Sequence, residues 1–200
     1  MTAQGSPEYA LPTSGELVLF DTEYTAWEGS QERRWSADWE HRELVEVGAV
    51  RVDATDFHVL DQFQRFTVPK VNPRLSDYFK DLTGIRQEDI DKEGVPLSVL
   101  FHDFAKFGQG CGLFVSNGND SAVFEISAGI QGVDVPIAKE RFANIRPALE
   151  RVLSAAPGEL TTGLLPARLG LPMTGALHSA IDDAVALART LAELRRTGRF

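Results

Sequence analysis

The sequence has almost no cysteine and no long apolar segment. Its 200 residues include one cysteine, Cys111, so no disulfide forms within the chain. A single thiol is typical of proteins from reducing compartments, and we therefore expect a cytoplasmic location. No apolar run approaches the roughly 20 residues that a membrane-spanning helix needs, and no signal peptide is visible. These absences exclude a disulfide-stapled domain and predict that the chain has no membrane partner.

Positive charge is also in short supply. The chain has 20 lysines and arginines against 29 aspartates and glutamates, and its formal net charge is −9. This charge disfavours a protein that coats duplex nucleic acid through general electrostatic attraction. It is compatible with an enzyme that grips a short strand end, because bound cations neutralise acidic side chains locally.

The chain is long enough for one domain with a substantial core, since 43% of its 200 residues are hydrophobic. Residues 1–14 are polar and interrupted by glycine and proline, which predicts a flexible leader. One domain is then predicted over residues 15–200.

Four stretches are typical of buried strands. The first is Glu16–Asp21, and the fourth is a short apolar run at Leu113–Ser116. Between them, Leu44–Asp53 and Phe57–Val68 alternate in polarity and are joined by a short polar turn, which predicts an antiparallel hairpin. Three further segments predict helices by apolar residues at helical spacing: Leu97, Leu100, Phe101 and Phe104; Phe142, Ile145, Leu149 and Val152; Ile181, Val185, Ala188 and Leu191. This order of elements predicts a layered α/β domain.

Acidic residues follow two of these strands. Asp21 ends the first strand and Glu23 comes two residues later, so both side chains point to the same side while Thr22 points away. Asp120 follows the fourth strand, which predicts that it shares one rim of the sheet with them. Two interpretations are open at this point: the carboxylates are simply solvated, or a divalent cation lies between them.

Three motifs together resemble those of the DEDDh 3′→5′ exonuclease superfamily, namely FDTEYT, SNGND and HSAIDDA. The family pattern is Asp-x-Glu, a later Asp, and a His that is followed by an Asp five residues on. The matching residues are Asp21, Glu23, Asp120, His178 and Asp183. Within the superfamily, Phe66–Asp91 and Arg168–Ala188 resemble exoribonucleases of the enhanced-RNAi type.

The resemblance implies a fold, a cofactor and a mechanism. The implied fold is α/β, a ribonuclease H-like mixed β-sheet flanked by α-helices in a single domain. Two Mg²⁺ or Mn²⁺ ions are implied in each site, with Asp21, Glu23, Asp120 and Asp183 as their ligands. His178 would then be the general base, since an imidazole pKa of about 6.5 suits proton transfer at neutral pH.

The resemblance also implies a substrate. Thr22 and the segment Leu82, Thr83, Gly84 and Ile85 are expected to contact the terminal nucleotide. We expect hydrolysis from the 3′ end of single-stranded nucleic acid, with RNA favoured over DNA and nucleoside 5′-monophosphates released. One alternative is a DNA exonuclease of the proofreading or repair type, and another is a regulatory binding protein that keeps the fold without the activity.

Two further expectations concern local geometry. Positions i and i+4 share a helix face, whereas i and i+5 are about 140° apart. Assigning Asp183 rather than Asp182 as the ligand therefore predicts that His178 precedes the last helix. The polar segment 25–43 holds all three tryptophans, Trp27, Trp35 and Trp39, and two interpretations are open: the rings clamp the segment onto the body, which we favour, or they offer a surface for bases to stack on.

Overall fold

The computed structural model describes residues 11–200, which form one mixed sheet with helices on both faces. The spatial order of the strands is β3-β2-β1-β4-β5. β1 pairs antiparallel with β2, and β2 with β3, whereas β4 is parallel to both β1 and β5. The strands are β1 (Glu16–Tyr24), β2 (Leu44–Asp53), β3 (Val59–Phe66), β4 (Phe114–Ser116) and β5 (Phe142–Asn144). The predicted single-domain α/β fold with a mixed sheet is confirmed.

Helices fill the connections between the strands and cover the sheet. They are α1 (Ser30–Arg33), α2 (Asp77–Thr83), α3 (Gln87–Glu93), α4 (Leu97–Phe107), α5 (Asp120–Gln131), α6 (Arg146–Leu153), α7 (Leu165–Arg168) and α8 (Ala180–Arg196). Two 3₁₀ turns occur at Lys139–Arg141 and Thr162–Leu164. Within residues 11–200, no helix combines the length and the apolar character needed to cross a membrane.

Alternation along β1 divides the core into two layers. The side chain of Leu19 packs into the layer beneath α8, which includes Leu187. Phe20 points to the other face, where its ring centroid lies 5.6 Å from that of Phe104 and 5.7 Å from that of Phe124. Both faces of β1 are therefore buried, which explains its continuous apolar run.

The observed strands agree with the predicted ones except at their ends. β2 has the predicted bounds, and β1 continues three residues beyond Asp21 to Tyr24. β3 is shorter than predicted at both ends. It starts late because Phe57 has a left-handed backbone (φ 61°) and buries its ring in the core instead. The hairpin of β2 and β3 is antiparallel as predicted.

The prediction of a helix that includes Phe142 is wrong for the first residues of that segment. Phe142–Asn144 is strand β5, which pairs in parallel with β4, and α6 begins only at Arg146. The predicted helices that became α4 and α8 are confirmed, although Ile181, which was predicted on the buried face of α8, is only partly buried.

Most of the predicted leader lies outside the described residues, since the description starts at residue 11. Within its described part, Leu11 is only 5% exposed and packs into the α8 layer of the core. Leu11, which falls within the predicted leader, therefore contacts the body of the domain.

Candidate active site

The carboxyl ends of β1 and β4 bring the first two motifs together. Asp21 and Glu23 lie near the end of β1, and Asp120 is the first residue of α5, directly after β4. Because β1 and β4 are parallel, these ends meet at one rim of the sheet. Thr22 points to the opposite face from the two acids, as predicted, but its hydroxyl donates a hydrogen bond of 2.8 Å to Asp120 Oδ1. Thr22 therefore ties the two motifs to each other.

A close approach of α8 to β2 brings the third motif to the same rim. Gly48 lies opposite Asp21 in the β1–β2 register. A Cβ atom on Gly48 would lie 2.1 Å from the backbone N of Ile181, so any larger residue would push the start of α8 away. As a result, ligand atoms of Glu23, His178 and Asp183 lie within 4.8 Å of one another.

The structure places His178 ahead of α8, as the spacing of the motif predicted. His178 has a left-handed backbone conformation (φ 59°), and the helix begins two residues later at Ala180. The turned backbone brings the half-buried imidazole back over the sheet rim. Asp183 is 5% exposed and faces the site, whereas the Asp182 carboxylate accepts a hydrogen bond from the Ala176 N–H at 2.9 Å.

The clustered carboxylates are held in a high-energy arrangement. Burial raises the pKa of the Asp21 carboxyl well above its usual value, and repulsion from Asp120 and Glu23 raises it further. Burial also raises the pKa of Glu23, with added repulsion from Glu46 and Asp183. The pKa of Asp183 is raised by burial to about 7. Shifts in this direction are expected where several carboxylates share one site without a counter-charge.

The donor set fits divalent cations. Asp183 Oδ1 is buried and has no hydrogen-bond partner among residues 11–200, although a buried carboxylate oxygen needs one. The four carboxylates offer the hard oxygen ligands that Mg²⁺ and Mn²⁺ prefer. The cluster could therefore bind such ions, which would relieve the mutual repulsion.

The acidic cluster opens into a cleft of about 360 Å³. Tyr78 and Leu82 of α2 line this cleft, as do Thr162 of a 3₁₀ turn and residues of the tryptophan-containing segment. Of the four residues predicted in the segment 82–85, only Leu82 lies there.

The structure does not bring Thr83, Gly84 and Ile85 to the cleft. They line a separate cavity together with Glu46 and Gln64. The Thr83 hydroxyl donates to the Phe79 carbonyl at 2.9 Å, and Ile85 is 7% exposed in a small apolar cluster. Phe79 of α2 packs in the same apolar cluster as Val45 of β2, and residues 83–85 that follow it are directed away from the acids.

Sequence reasoning missed Glu46, which lies next to the cluster. It is 1% exposed in β2, directly opposite Glu23, and one of its oxygens accepts a hydrogen bond from the Ala180 N–H at 3.4 Å. Its other oxygen accepts one from Gln64. Burial raises the pKa of Glu46. The available signal was an acid at the centre of an apolar strand, a position where an acid needs a partner.

Asn117 of the middle motif and Arg146 at the start of α6 also line the cleft. Asn117 is 2% exposed, and its amide donates to Thr162 Oγ1 at 3.1 Å. Arg146 donates to the carbonyl oxygens of Asn117 and Leu160, at 2.6 Å and 2.7 Å for the shortest contacts. Arg146 therefore fixes the backbone beside Asp120, and its positive charge lowers the pKa of that carboxyl against the larger effect of burial.

The tryptophan-containing segment forms one wall of the cleft. The Trp35 ring packs against that of Tyr24 at the end of β1, with 5.5 Å between ring centroids, which supports the interpretation that this ring clamps the segment onto the body. Its indole N–H donates to the Thr25 carbonyl at 2.9 Å. Trp27 and Trp35 both line the cleft. Trp39 is 53% exposed and packs edge-on against Trp27, with 5.0 Å between ring centroids.

Comparisons with known sequences place the chain among exonucleases. It is 26% identical over 214 residues to the 3′-5′ exonuclease Snipper of Drosophila melanogaster, which covers 96% of this chain and 74% of that protein. It is 23% identical over 190 residues to 3′-5′ exoribonuclease 1 of Rattus norvegicus, which covers 91% of this chain. The chain spans about half the length of the rat protein, 53%.

Solved structures share the fold. The nuclease domain of 3′hExo, a DEDDh family member bound to rAMP, superimposes with a TM-score of 0.80 at 21% identity, covering 94% of this chain and 96% of that one. Cell-death related nuclease 4 gives a TM-score of 0.74 at 19% identity, covering 93% of this chain and 65% of that one. The resemblance predicted from the three motifs is confirmed. The family model described as Exonuclease (RNase_T) matches residues 18–191, and this chain therefore belongs to that exonuclease family.

Proposed function

We propose that this chain is a metal-dependent exonuclease that removes nucleotides from the 3′ end of single-stranded nucleic acid. The observation that carries the proposal is the meeting of three motifs, far apart in sequence, at one rim of the sheet inside a cleft. Four carboxylates and a histidine are the groups that metal-assisted phosphodiester hydrolysis requires. Membership of the exonuclease family supports the same reaction class.

In this proposal Asp21, Glu23, Asp120 and Asp183 hold two divalent cations, Mg²⁺ or Mn²⁺. When bound, the cations supply activation of water near neutral pH and stabilisation of the leaving oxygen. The hydrogen bond from Thr22 holds the Asp120 carboxylate in one orientation.

His178 is proposed to accept the proton of the attacking water. Burial lowers the pKa of its imidazole, so the ring is neutral at pH 7 and free to take a proton. Its left-handed backbone and its place before α8 bring the ring beside Glu23 and Asp183.

We propose RNA as the favoured substrate, with nucleoside 5′-monophosphates as products. The names of the rat, mouse and human relatives, 3′-5′ exoribonuclease 1, support this choice. The single cysteine supports a cytoplasmic location. The alternative, a DNA exonuclease, would use the same site residues and differ from this proposal only in its substrate.

A cleavage assay tests the proposal. Single-stranded RNA and DNA of equal sequence, labelled at the 5′ end, are incubated with the protein in Mg²⁺, in Mn²⁺ or in EDTA. We expect a ladder that shortens with time, faster on RNA, absent in EDTA and slowed by a 3′-phosphate. Faster cleavage of DNA would favour the repair alternative, and binding without any ladder would favour the regulatory one. Cleavage that is equally fast with a free and with a blocked 3′ end would indicate endonucleolytic cutting.

A further inference from the structure

One wall of the cleft carries an arginine whose guanidinium packs against two aromatic rings. The guanidinium carbon of Arg42 lies 4.9 Å from the Tyr24 ring centroid and 5.5 Å from that of Trp35. The two rings contact each other at 5.5 Å, and the indole N–H of Trp35 is fixed by the Thr25 carbonyl. Such stacking holds a guanidinium plane in place while leaving its N–H donors at the edges.

The donors of Arg42 are uncommitted. Within residues 11–200, Arg42 makes no side-chain hydrogen bond and no ion pair, and its Nε is buried without a partner. Arg146, the other arginine that lines the cleft, is committed to the carbonyl oxygens of Asn117 and Leu160. Arg42 is therefore the arginine of the cleft wall whose donors remain available to a ligand.

Arg42 stands at the border of the acidic cluster. Arg42 and Tyr24 line the same cleft as Glu23 and Asp120, and Tyr24 directly follows Glu23 at the end of β1. In a chain with a net charge of −9, a free cation here points to an anionic ligand that extends outward from the acidic cluster.

We propose that Arg42, packed against Tyr24 and Trp35, binds the phosphodiester of the substrate strand that lies next to the scissile one on its 5′ side. The inference rests on the proposed function. With the 3′-terminal nucleotide in the acidic site, its own 5′-phosphate is the one to be cleaved, so every other phosphate of the strand lies further toward the 5′ end. A guanidinium fork matches two phosphate oxygens and holds them by charge-assisted hydrogen bonds.

Two substrates test this subsite. A single-stranded oligonucleotide carries the neighbouring phosphodiester, whereas the p-nitrophenyl ester of a nucleoside 5′-monophosphate carries only the phosphate that is cleaved. We expect Arg42→Gln to lower kcat/KM about 10-fold to 100-fold more on the oligonucleotide than on the ester, the range for a lost hydrogen bond to a charged group. Arg42→Lys, which keeps the charge but not the planar fork, should give a smaller loss of the same kind.

Arg34→Gln is the matched control. Arg34 is exposed in the same segment and does not line the cleft, so this variant makes the same change of charge and should leave the ratio of the two rates unchanged. Oligonucleotide affinity is measured by fluorescence anisotropy in an Asp183→Asn background. There, Arg42→Gln should reduce the slope of log Kd against log salt by about 0.7, the value for one phosphate contact on a single strand.

Equal losses on both substrates, or an unchanged salt slope, would overturn the assignment of Arg42. The unfolding temperature of each variant shows whether a loss comes from the site or from misfolding, and Arg42→Lys serves if Arg42→Gln is unstable. If the unaltered protein cleaves neither substrate, the proposed function fails, and the salt slope still decides whether Arg42 contacts a phosphate.

Discussion

The carboxylates of Asp182 and Asp183, adjacent in sequence, lie in different surroundings. Asp183 is buried beside Glu23 and His178, whereas Asp182 accepts a hydrogen bond of 2.9 Å from the N–H of Ala176. One acid belongs to the site, and the other holds the loop that leads into α8.

Exchanging each acid for its amide should separate these roles. We expect Asp183→Asn to abolish cleavage and weaken Mn²⁺ binding, because it removes a buried carboxylate from the cluster. Asp182→Asn should keep most activity and lose about 1 kcal/mol of unfolding free energy, the usual value for a hydrogen bond. Cleavage assays, titration calorimetry and urea denaturation measure these effects, and the reverse pattern would show that Asp182 is the ligand.

His178→Ala should lower the cleavage rate about 10²-fold to 10⁴-fold, the range for a lost general base. Because burial lowers the pKa of His178, the neutral form persists below the ordinary histidine value, and wild-type activity should decline only at more acidic pH. The variant should lack this decline in its pH–rate profile. Mn²⁺ binding, measured by calorimetry, should remain nearly intact, and its loss would identify His178 as a ligand instead.

The metal-free protein should become less stable as pH rises. The pKa of Asp183 is about 7 in the folded state and 3.8 ordinarily, so between these values the folded chain holds a proton that the unfolded chain releases. Stability from this group is therefore lost as pH increases through that range. In EDTA, Asp183→Asn should melt at a higher temperature than wild type, by more at pH 8 than at pH 5.

Scanning calorimetry at both pH values measures this difference. Asp182→Asn is the comparison: it removes one charge that repels Asp183 but also weakens the hydrogen bond from the Ala176 N–H, so its gain should be smaller. Mg²⁺ should raise the melting temperature of wild type at pH 8 and remove the difference in melting temperature between wild type and Asp183→Asn. A wild-type protein that is as stable in EDTA at pH 8 as Asp183→Asn would contradict the strain assigned to the cluster.

Gly48→Ala should damage the site without touching a carboxylate. Its Cβ would lie 2.1 Å from the Ile181 backbone N and 2.2 Å from the Ala180 carbonyl carbon, so the start of α8 must move. We expect a loss of about 1–3 kcal/mol of unfolding free energy, typical of overpacking, and a large loss of cleavage. Gly129→Ala on α5 is the control, because a Cβ there meets nothing within 4 Å and alanine favours a helix. Urea denaturation and the cleavage assay measure both variants.

Hydrophobic patterns in the sequence were sufficient to predict the elements whose structure depends on residues close together in the chain. The bounds of β2 and the buried face of α4 follow from hydrophobic periodicity, because a strand or helix buries every side chain at its own repeat. The first two motifs could likewise be placed at one rim, whereas the third was assigned through the family resemblance. Each acid of the first two follows an apolar strand, and the carboxyl ends of parallel neighbours meet.

Other features could not be read from local patterns. Phe142 has helical spacing with Ile145, yet residues 142–144 are a strand because β4 offers them parallel hydrogen bonds. Thr83 and Ile85 adjoin Leu82, yet the packing of α2 turns them to another cavity.

The sequence by itself determined the fold class and four of the five strands, since hydrophobic periodicity is a property of the chain, and the resemblance of its motifs named five candidate site residues. Only the tertiary structure decided what surrounds them. The approach of α8 to Gly48 and the hydrogen bond from the Ala180 N–H to Glu46 each join residues that are distant in sequence. Such contacts depend on how helices pack on the sheet, and this packing is determined by the shape and burial of side chains over the whole domain.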